Sequence, residues 1–278
     1  MAPRVTTASF LASRRAPAAV RSTMAVASPR ALIQSLKPVL GSTAIGALLA
    51  AGGLGGSQAA GAAGGGVAIT SYGHSALLIS GGGARVLLNP FQAVGCAAGL
   101  AEPRVSADVI LASSRLKDEG AAVASGRFLV KPGSYRVAGL QLEGIAVPHD
   151  RVGGRRFGQA TVWRWKQGGL DIAHLGGSAG AISPSDKVLL GRPDILIIGV
   201  GGGTKVYTGA EAAEIVKELQ PRRVIPVQTL SGKAPEGCDI GSVEPFLQAM
   251  GSTPVRKVGG SVSVAPPLGE GTTILVMR

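Results

Sequence analysis

The chain has three histidines, His74, His149 and His174. His149 opens the polar, glycine-rich stretch HDRVGGRRFGQ (149–159) directly after an apolar run. Asp118 and Glu119 close the stretch ADVILASSRLKDEG (107–120), where Val109-Ile110-Leu111 reads as a buried strand that empties into polar residues. Strand ends are where open α/β folds place their chemistry. If Asp118, Glu119 and His149 converge, two carboxylates and one imidazole would make a donor set for a single Zn, Mn or Fe ion with positions left open. The plain alternative is that Asp118 and Glu119 are solvated helix residues and His149 orders its loop. Arg151, Arg155 and Arg156 follow in the same loop. Guanidinium groups suit two-pronged contacts to phosphate or carboxylate, which makes these three the candidate binding residues for a small anionic ligand, against the alternative of a solvated basic loop.

Two other patterns are weaker. Gly199-Val200-Gly201-Gly202-Gly203-Thr204-Lys205 lies between a strand and a helix but misses both phosphate-loop spacings, because Thr204 stands where a glycine or the lysine is required. It reads as a tight turn. Gly176-Gly177-Ser178-Ala179-Gly180 matches the G-x-S-x-G of a hydrolase elbow. Ile182-Ser183-Pro184 breaks the helix expected after it, and His174 precedes the serine against the usual order, so a serine nucleophile is disfavoured.

The elements that must position these residues alternate. In VAITSYGHSALLIS (67–80) two short apolar runs flank Tyr72-Gly73-His74, Gly81-Gly82-Gly83 ends the second, and Arg85-Val86-Leu87-Leu88-Asn89-Pro90 reads as a third strand stopped by proline, completing a meander. A strand follows at 108–112, then a short helix at 114–125, and further strands at 128–130 and 134–147. Residues 161–166 and 170–175 form a hairpin around Gly168-Gly169. DILIIGV (194–200) is an apolar strand. Thr208 and Glu211 form a capping box opening a helix that Pro221 ends. Residues 223–227 return as a strand, a helix spans about 242–250, and two strands complete the chain. Two mixed sheets packed face to face with helices outside satisfy this order.

Composition narrows the function classes. The net charge is +12 over 278 residues, but no acid occurs before Glu102, and residues 1–66 hold Arg4, Arg14, Arg15, Arg21, Arg30 and Lys37. The remainder is only mildly basic and poor in aromatics, which argues against nucleic acid. Residues 1–37 are rich in Ala, Ser, Thr and Arg, as organelle transit peptides are. Residues 39–51 form an apolar segment of signal-peptide length, short for a membrane span. We assign residues 1–64 to a targeting presequence and Gly/Ala linker, and 65–278 to the folded domain, without a membrane span in the mature protein. The expected address is the chloroplast, stroma or thylakoid lumen, with the mitochondrion as the alternative. Cys96 and Cys238 fit no zinc spacing. They are expected as unpaired thiols, with a disulfide only in an oxidising compartment.

Seven blocks, ITSYGHSALLIS, RVLLNPF, ADVILASSRLKDEG, VPHDRVGGRRFGQATV, LDIAHLGGSAG, DILIIGVGGGT and RRVIPVQ, together resemble the metallo-β-lactamase superfamily, and most closely its L-ascorbate-6-phosphate lactonase-like branch of Zn-dependent hydrolases. The resemblance runs over about residues 67–258. It implies an α/β (α+β) fold, a four-layer αβ/βα sandwich with the site at one edge between the sheets. It also implies seven metal-ligand positions. Asp118 and His149 keep the family residue; Ser114, Leu116, Glu119, Gly177 and Gln228 stand where the others are expected. Leucine and glycine side chains donate no lone pair, and serine and glutamine are poor zinc ligands. Without a metal there is no water of lowered pKa to act as nucleophile. The expectation is a degenerate hydrolase fold with no cofactor, acting as a binding or regulatory component toward an unknown protein or a small anionic ligand. The alternatives are an active hydrolase with one metal ion and an anion-binding module.

Overall fold

The computed structural model describes residues 65–278, so the presequence and its signal-like segment lie outside the described residues. The meander forms as expected: β1 (Val67–Ser71), β2 (Leu77–Gly81) and β3 (Ala84–Leu88) pair antiparallel. Next come β4 (Ser106–Leu111) and β5 (Ser125–Leu129), both joined in parallel. A run of antiparallel strands follows: β6 (Gly133–Val137), β7 (Leu140–Pro148), β8 (Gln159–Gln167) and β9 (Leu170–His174). The last part alternates: α1 (Pro184–Leu190), β10 (Ile195–Gly199), α2 (Gly209–Leu219), β11 (Arg223–Val227), α3 (Glu244–Met250), β12 (Val255–Lys257), β13 (Ser261–Val264) and β14 (Thr273–Val276). One sheet has the order β13-β1-β2-β3-β4-β5 and the other β12-β14-β11-β10-β9-β8-β7-β6.

The two sheets share one core. Ile69, Ile79, Val86, Val109 and Leu111 of the first pack with Leu142, Trp163, Ile172, Ile197 and Ile225 of the second. The outer face of the second sheet is covered by the helices, through Leu190, Ala212, Val216 and Phe246. The outer face of the first carries a smaller cluster, Leu78, Leu87, Ala107 and Ile110, backed by Val105, Ala124 and Phe128. Among the described residues no helix is long and apolar enough to cross a membrane.

Local chemistry explains two departures from expectation. The helix expected at 114–125 is absent. Ser114 Oγ accepts from Leu116 N, the only local backbone bond is a single turn from Glu119 N to Leu116 O, and Gln92 N and Ala121 N pair this segment with 90–92 instead. A side chain that bonds its own backbone competes with helix formation. Conversely, Pro184 does not break a helix but begins one. Ser183 caps α1, receiving Asp186 N while Asp186 receives Ser183 N. Proline is favoured at the first helical position because its missing N–H has no partner there anyway. Thr208 and Glu211 cap α2 in the same reciprocal way.

Candidate functional site

The end of β4 is stitched to the second sheet. Trp163 Nε1 donates to Ala112 O at 3.0 Å, Thr161 N donates to Ser113 O at 2.8 Å, and Ser113 Oγ donates to Gly176 O. Asn89, just after β3, donates to Ser113 Oγ and receives Ser113 N at 2.8 Å. These bonds bring three strand ends, β3, β4 and β9, to one edge between the sheets.

There Glu119 is the hub. Its side chain is completely buried. Oε1 accepts from Ser114 Oγ at 2.7 Å and lies 2.8 Å from His149 Nε2. The His149 contact is close in distance but poorly aligned for a straight N–H···O bond. Oε2 accepts from Gln228 Nε2 at 3.1 Å, and Gln228 Oε1 in turn accepts from Gly177 N at 2.8 Å. Burial works against the charge on Glu119, but the contact with His149, the fields of His149 and Lys205, and the Ser114 hydrogen bond outweigh it and hold the carboxyl at about 2. A buried carboxylate survives as an ion only when so supplied with donors.

The family register thus brings together Ser114, Glu119, His149, Gly177 and Gln228. It does not bring Asp118 with them: Asp118 Oδ2 pairs with Lys205 Nζ at 2.9 Å. Leu116 is half-buried and has no donor to offer. The ligand set Asp118, Glu119 and His149 therefore does not close around one point, and no group of three His, Cys, Asp or Glu side chains among the described residues is arranged to hold a metal ion. A metal site of the family's kind does not fit these residues.

The other histidines enclose the cluster. His174 is fully buried, with Nδ1 receiving Gly176 N at 3.4 Å and Nε2 without a partner. Burial, only partly offset by the Glu119 charge, lowers its pKa to about 4. His74 sits in a left-handed conformation at φ 50°, its carbonyl receiving Gln228 N and its Nε2 enclosed without a partner; burial lowers its pKa too. Asn89 and Gln228 share the left-handed region, at φ 39° and 54°. Sparsely populated backbone at three positions in one cluster is a mark of an over-determined site. Of these residues, sequence reasoning missed His74, Asn89 and Lys205; an asparagine before Pro90 at a strand end was the one available signal.

The basic loop divides. Arg151 does not face the site: Nε and Nη2 grip both oxygens of Glu211 at 2.9 and 2.7 Å, and the same guanidinium donates to Gly203 O and Val206 O. That grip is the main cause holding Glu211 at about 2. Arg155 is exposed and donates to Val152 O, while Arg156 lies over the Phe157 ring at 4.9 Å. Asp150 organises the loop by accepting from the N–H groups of Val152, Gly154, Arg156 and Phe157. Those four bonds together overcome its desolvation and lower its pKa. Beside the cluster opens a crevice of about 450 Å³ whose walls include Ser114, Arg115, Lys131, Phe157 and Thr161.

The weaker motifs are accounted for. Ser178 is buried and hydrogen-bonds Tyr207 and Pro148 O rather than His174. In the 199–205 turn Thr204 N and Oγ1 both donate to Asp239 Oδ2, Gly202 N to Tyr207 O and Lys205 Nζ to Asp118. Cys96 and Cys238, expected as free thiols, are joined in a disulfide; a spacing of 142 residues could not reveal that their loops meet.

A family profile described as a β-lactamase superfamily domain matches residues 68–228. A search of curated proteins returned no match. Among solved structures, a protein described as a Zn-dependent hydrolase of the metallo-β-lactamase superfamily from Thermotoga maritima superposes with a TM-score of 0.60 at 22% identity, covering 76% of this chain and all of its own. A protein described as a metal-dependent hydrolase from Parabacteroides distasonis gives 0.51 at 14% identity, over 75% of this chain and 92% of its own. A metallo-β-lactamase fold protein from Bacillus subtilis gives 0.50 at 10% identity, over 76% and 96%.

Proposed function

Because this chain belongs to the β-lactamase superfamily, and because the positions its relatives use for metal are filled here by a closed polar cluster, we propose that it is a non-catalytic member of a hydrolase fold that works as a binding or regulatory component of the chloroplast. The observation that carries this reading is the saturation of Glu119: Ser114, Gln228 and His149 occupy its oxygens, all are buried, and the side chains of Leu116 and Gly177 hold no atom that could bind a metal. A hydrolytic metal site keeps at least one position open to water, whereas this carboxylate has none to spare. The likeness of the seven blocks supports, within the superfamily, a relation to the L-ascorbate-6-phosphate lactonase-like branch. The acid-free, Arg-bearing first 37 residues support import into the chloroplast. The crevice beside the cluster supports a small anionic ligand, since Arg115 and Lys131 line it and no carboxylate does.

One observation favours a second reading, a hydrolase with a single ion: ring nitrogens of His74, His149 and His174 are buried without hydrogen-bond partners, and such atoms call for a water or an ion. Metal analysis of chelator-washed protein resupplied with Zn, Mn or Fe decides between the two. The non-catalytic reading expects substoichiometric metal in all three cases. One ion per chain, lost in His149→Ala, would overturn it.

A further inference from the structure

We propose that the Cys96–Cys238 disulfide is a redox-reversible latch that holds the 231–238 strap across a cavity behind which His74 lies. The proposal is independent of whether the Glu119 cluster holds metal. Cys96 sits in the short turn Gly95–Ala97 after β3, and Cys238 in the long connection between β11 and α3, 142 residues away. The disulfide therefore ties the first half of the chain to the second. Its Cα atoms are 4.8 Å apart, within the ordinary range for such a bond.

The strap has little else to hold it. Residues 231–237 are exposed or half-exposed. Among the described residues, their side chains make no hydrogen bond or ion pair, and the one backbone bond of the segment, Cys238 N to Pro235 O, is internal to it. The fixed points lie at its two bases. Gln228 N donates to His74 O and Leu230 N to Gly241 O on one side; Gly241 N donates to Gly201 O, and the Asp239 carboxylate receives Thr204, on the other. Among the described residues, no hydrogen bond or ion pair joins the tip to the first sheet's loops, and the disulfide does. Parting it would leave both bases in place and free only the tip, which is the behaviour of a low-stability local unit rather than of the whole fold.

Under the strap is a cavity of about 690 Å³ whose lining includes His74, Cys96, Leu100, Leu230, Lys233 and Pro235. His74 Nε2 is shielded from solvent and unpartnered there. Both cysteines are half-buried and flanked by the exposed Gly95 and Gly237, so an external thiolate has a path to the sulfur atoms. Reduction needs a dithiol partner. Its thiolate attacks one Sγ, the S–S bond breaks, and the released cysteine thiolate takes a proton. The partner's second thiol then attacks the mixed disulfide and frees the other cysteine. Two electrons and two protons pass to this chain, and the partner leaves as a disulfide.

The test uses the full-length chain, oxidised or treated with dithiothreitol, and reads two local events by mass spectrometry: tryptic cleavage after Lys233 and diethyl pyrocarbonate modification of His74. Reduction is expected to speed both by roughly tenfold or more, as local opening does, while the protein keeps a cooperative melt. Cys96→Ser should show the fast rates with or without the reductant, and Cys238→Ser should match it. Rates unchanged by reduction would overturn the latch. So would cleavage spread over the whole chain with loss of the cooperative melt, which would make the bond a structural staple, or two free thiols in the untreated protein.

Discussion

Glu119 occupies the space that a side chain at Gly177 would need: a Cβ built on Gly177 falls 2.6 Å from Glu119 Oε2 and 2.8 Å from the Ser113 Cβ. Gly177 also holds φ at +73°, in the region where only glycine is unstrained. The glycine and the glutamate are therefore one feature. Where the resemblance implies two metal ligands, this chain has one position without a side chain and a carboxylate that fills the space.

The coupling is measurable. Restoring the acid by Gly177→Asp should cost about 3–5 kcal/mol, from backbone strain and a second buried carboxylate. Glu119→Ala alone should cost a comparable amount, because it strips a partner from His149, Ser114 and Gln228. The double variant should recover roughly 1–3 kcal/mol relative to the sum. Urea denaturation of the four proteins reads this directly; strict additivity would show that the two positions do not compete for space.

Acid should weaken the fold in two successive windows. His174 has a folded pKa of about 4 against an ordinary 6.5, so the unfolded chain binds the proton first and stability falls as pH drops from 6.5 to about 4. Glu119 has a folded pKa of about 2 against an ordinary 4.5, so its contribution is complete above 4.5 and is lost as pH falls toward 2. Each shift corresponds to roughly 3 kcal/mol at most. His174→Asn should shrink the upper window, to which the buried His74 also contributes, and Glu119→Gln should flatten the lower one. Denaturation midpoints across both windows test this, and a variant that leaves its own window unchanged rules out the assignment.

What the sequence revealed was local or carried by family register. Val109-Ile110-Leu111 is a buried strand because nothing in it is polar, and Thr208 with Glu211 announces a helix start because capping acts within four residues. The register of seven blocks also lines up Ser114, Leu116, Asp118, Glu119, His149, Gly177 and Gln228, and all but Leu116 and Asp118 meet around Glu119. What it did not reveal depends on distant partners. Asp118 looks like a neighbour of Glu119, yet in a turn adjacent residues face apart, and Lys205 claims it. The helix at 114–125 was lost to bonds with residues 90–92, and the Cys96–Cys238 bridge to a fold that no spacing rule encodes. Ser183-Pro184-Ser185-Asp186 is different: its cap is legible in the sequence, and the proline that reads as a breaker is the first residue of α1.

Asp118 should behave as a structural residue. Its ion pair with Lys205 is largely screened from water, with side chains 16% and 20% exposed. Asp118→Asn should cost about 1–2 kcal/mol, between the surface and buried limits. Most of that loss comes from a lysine left without its partner, so Lys205→Met in the same protein should restore part of it. A thermal-denaturation cycle measures the pair; a Lys205→Met change that adds its full separate cost would dissolve it.

Arg151 is expected to separate from its neighbours in the basic loop. Its two-pronged grip on Glu211 links the 149–158 loop to the first turn of α2, and Glu211 at the same time receives Thr208 N to close the capping box. Both partners are about a third exposed or more, so solvent screening limits the gain, and Arg151→Ala should cost about 1 kcal/mol. Arg151→Lys keeps the charge but not the fork or the two carbonyl contacts, and should lose most of the same amount. Arg155→Ala touches only Val152 O and should stay within about 0.5 kcal/mol of the wild type. If chemical denaturation ranks Arg155 with Arg151, the loop is held by its overall charge and not by this one grip.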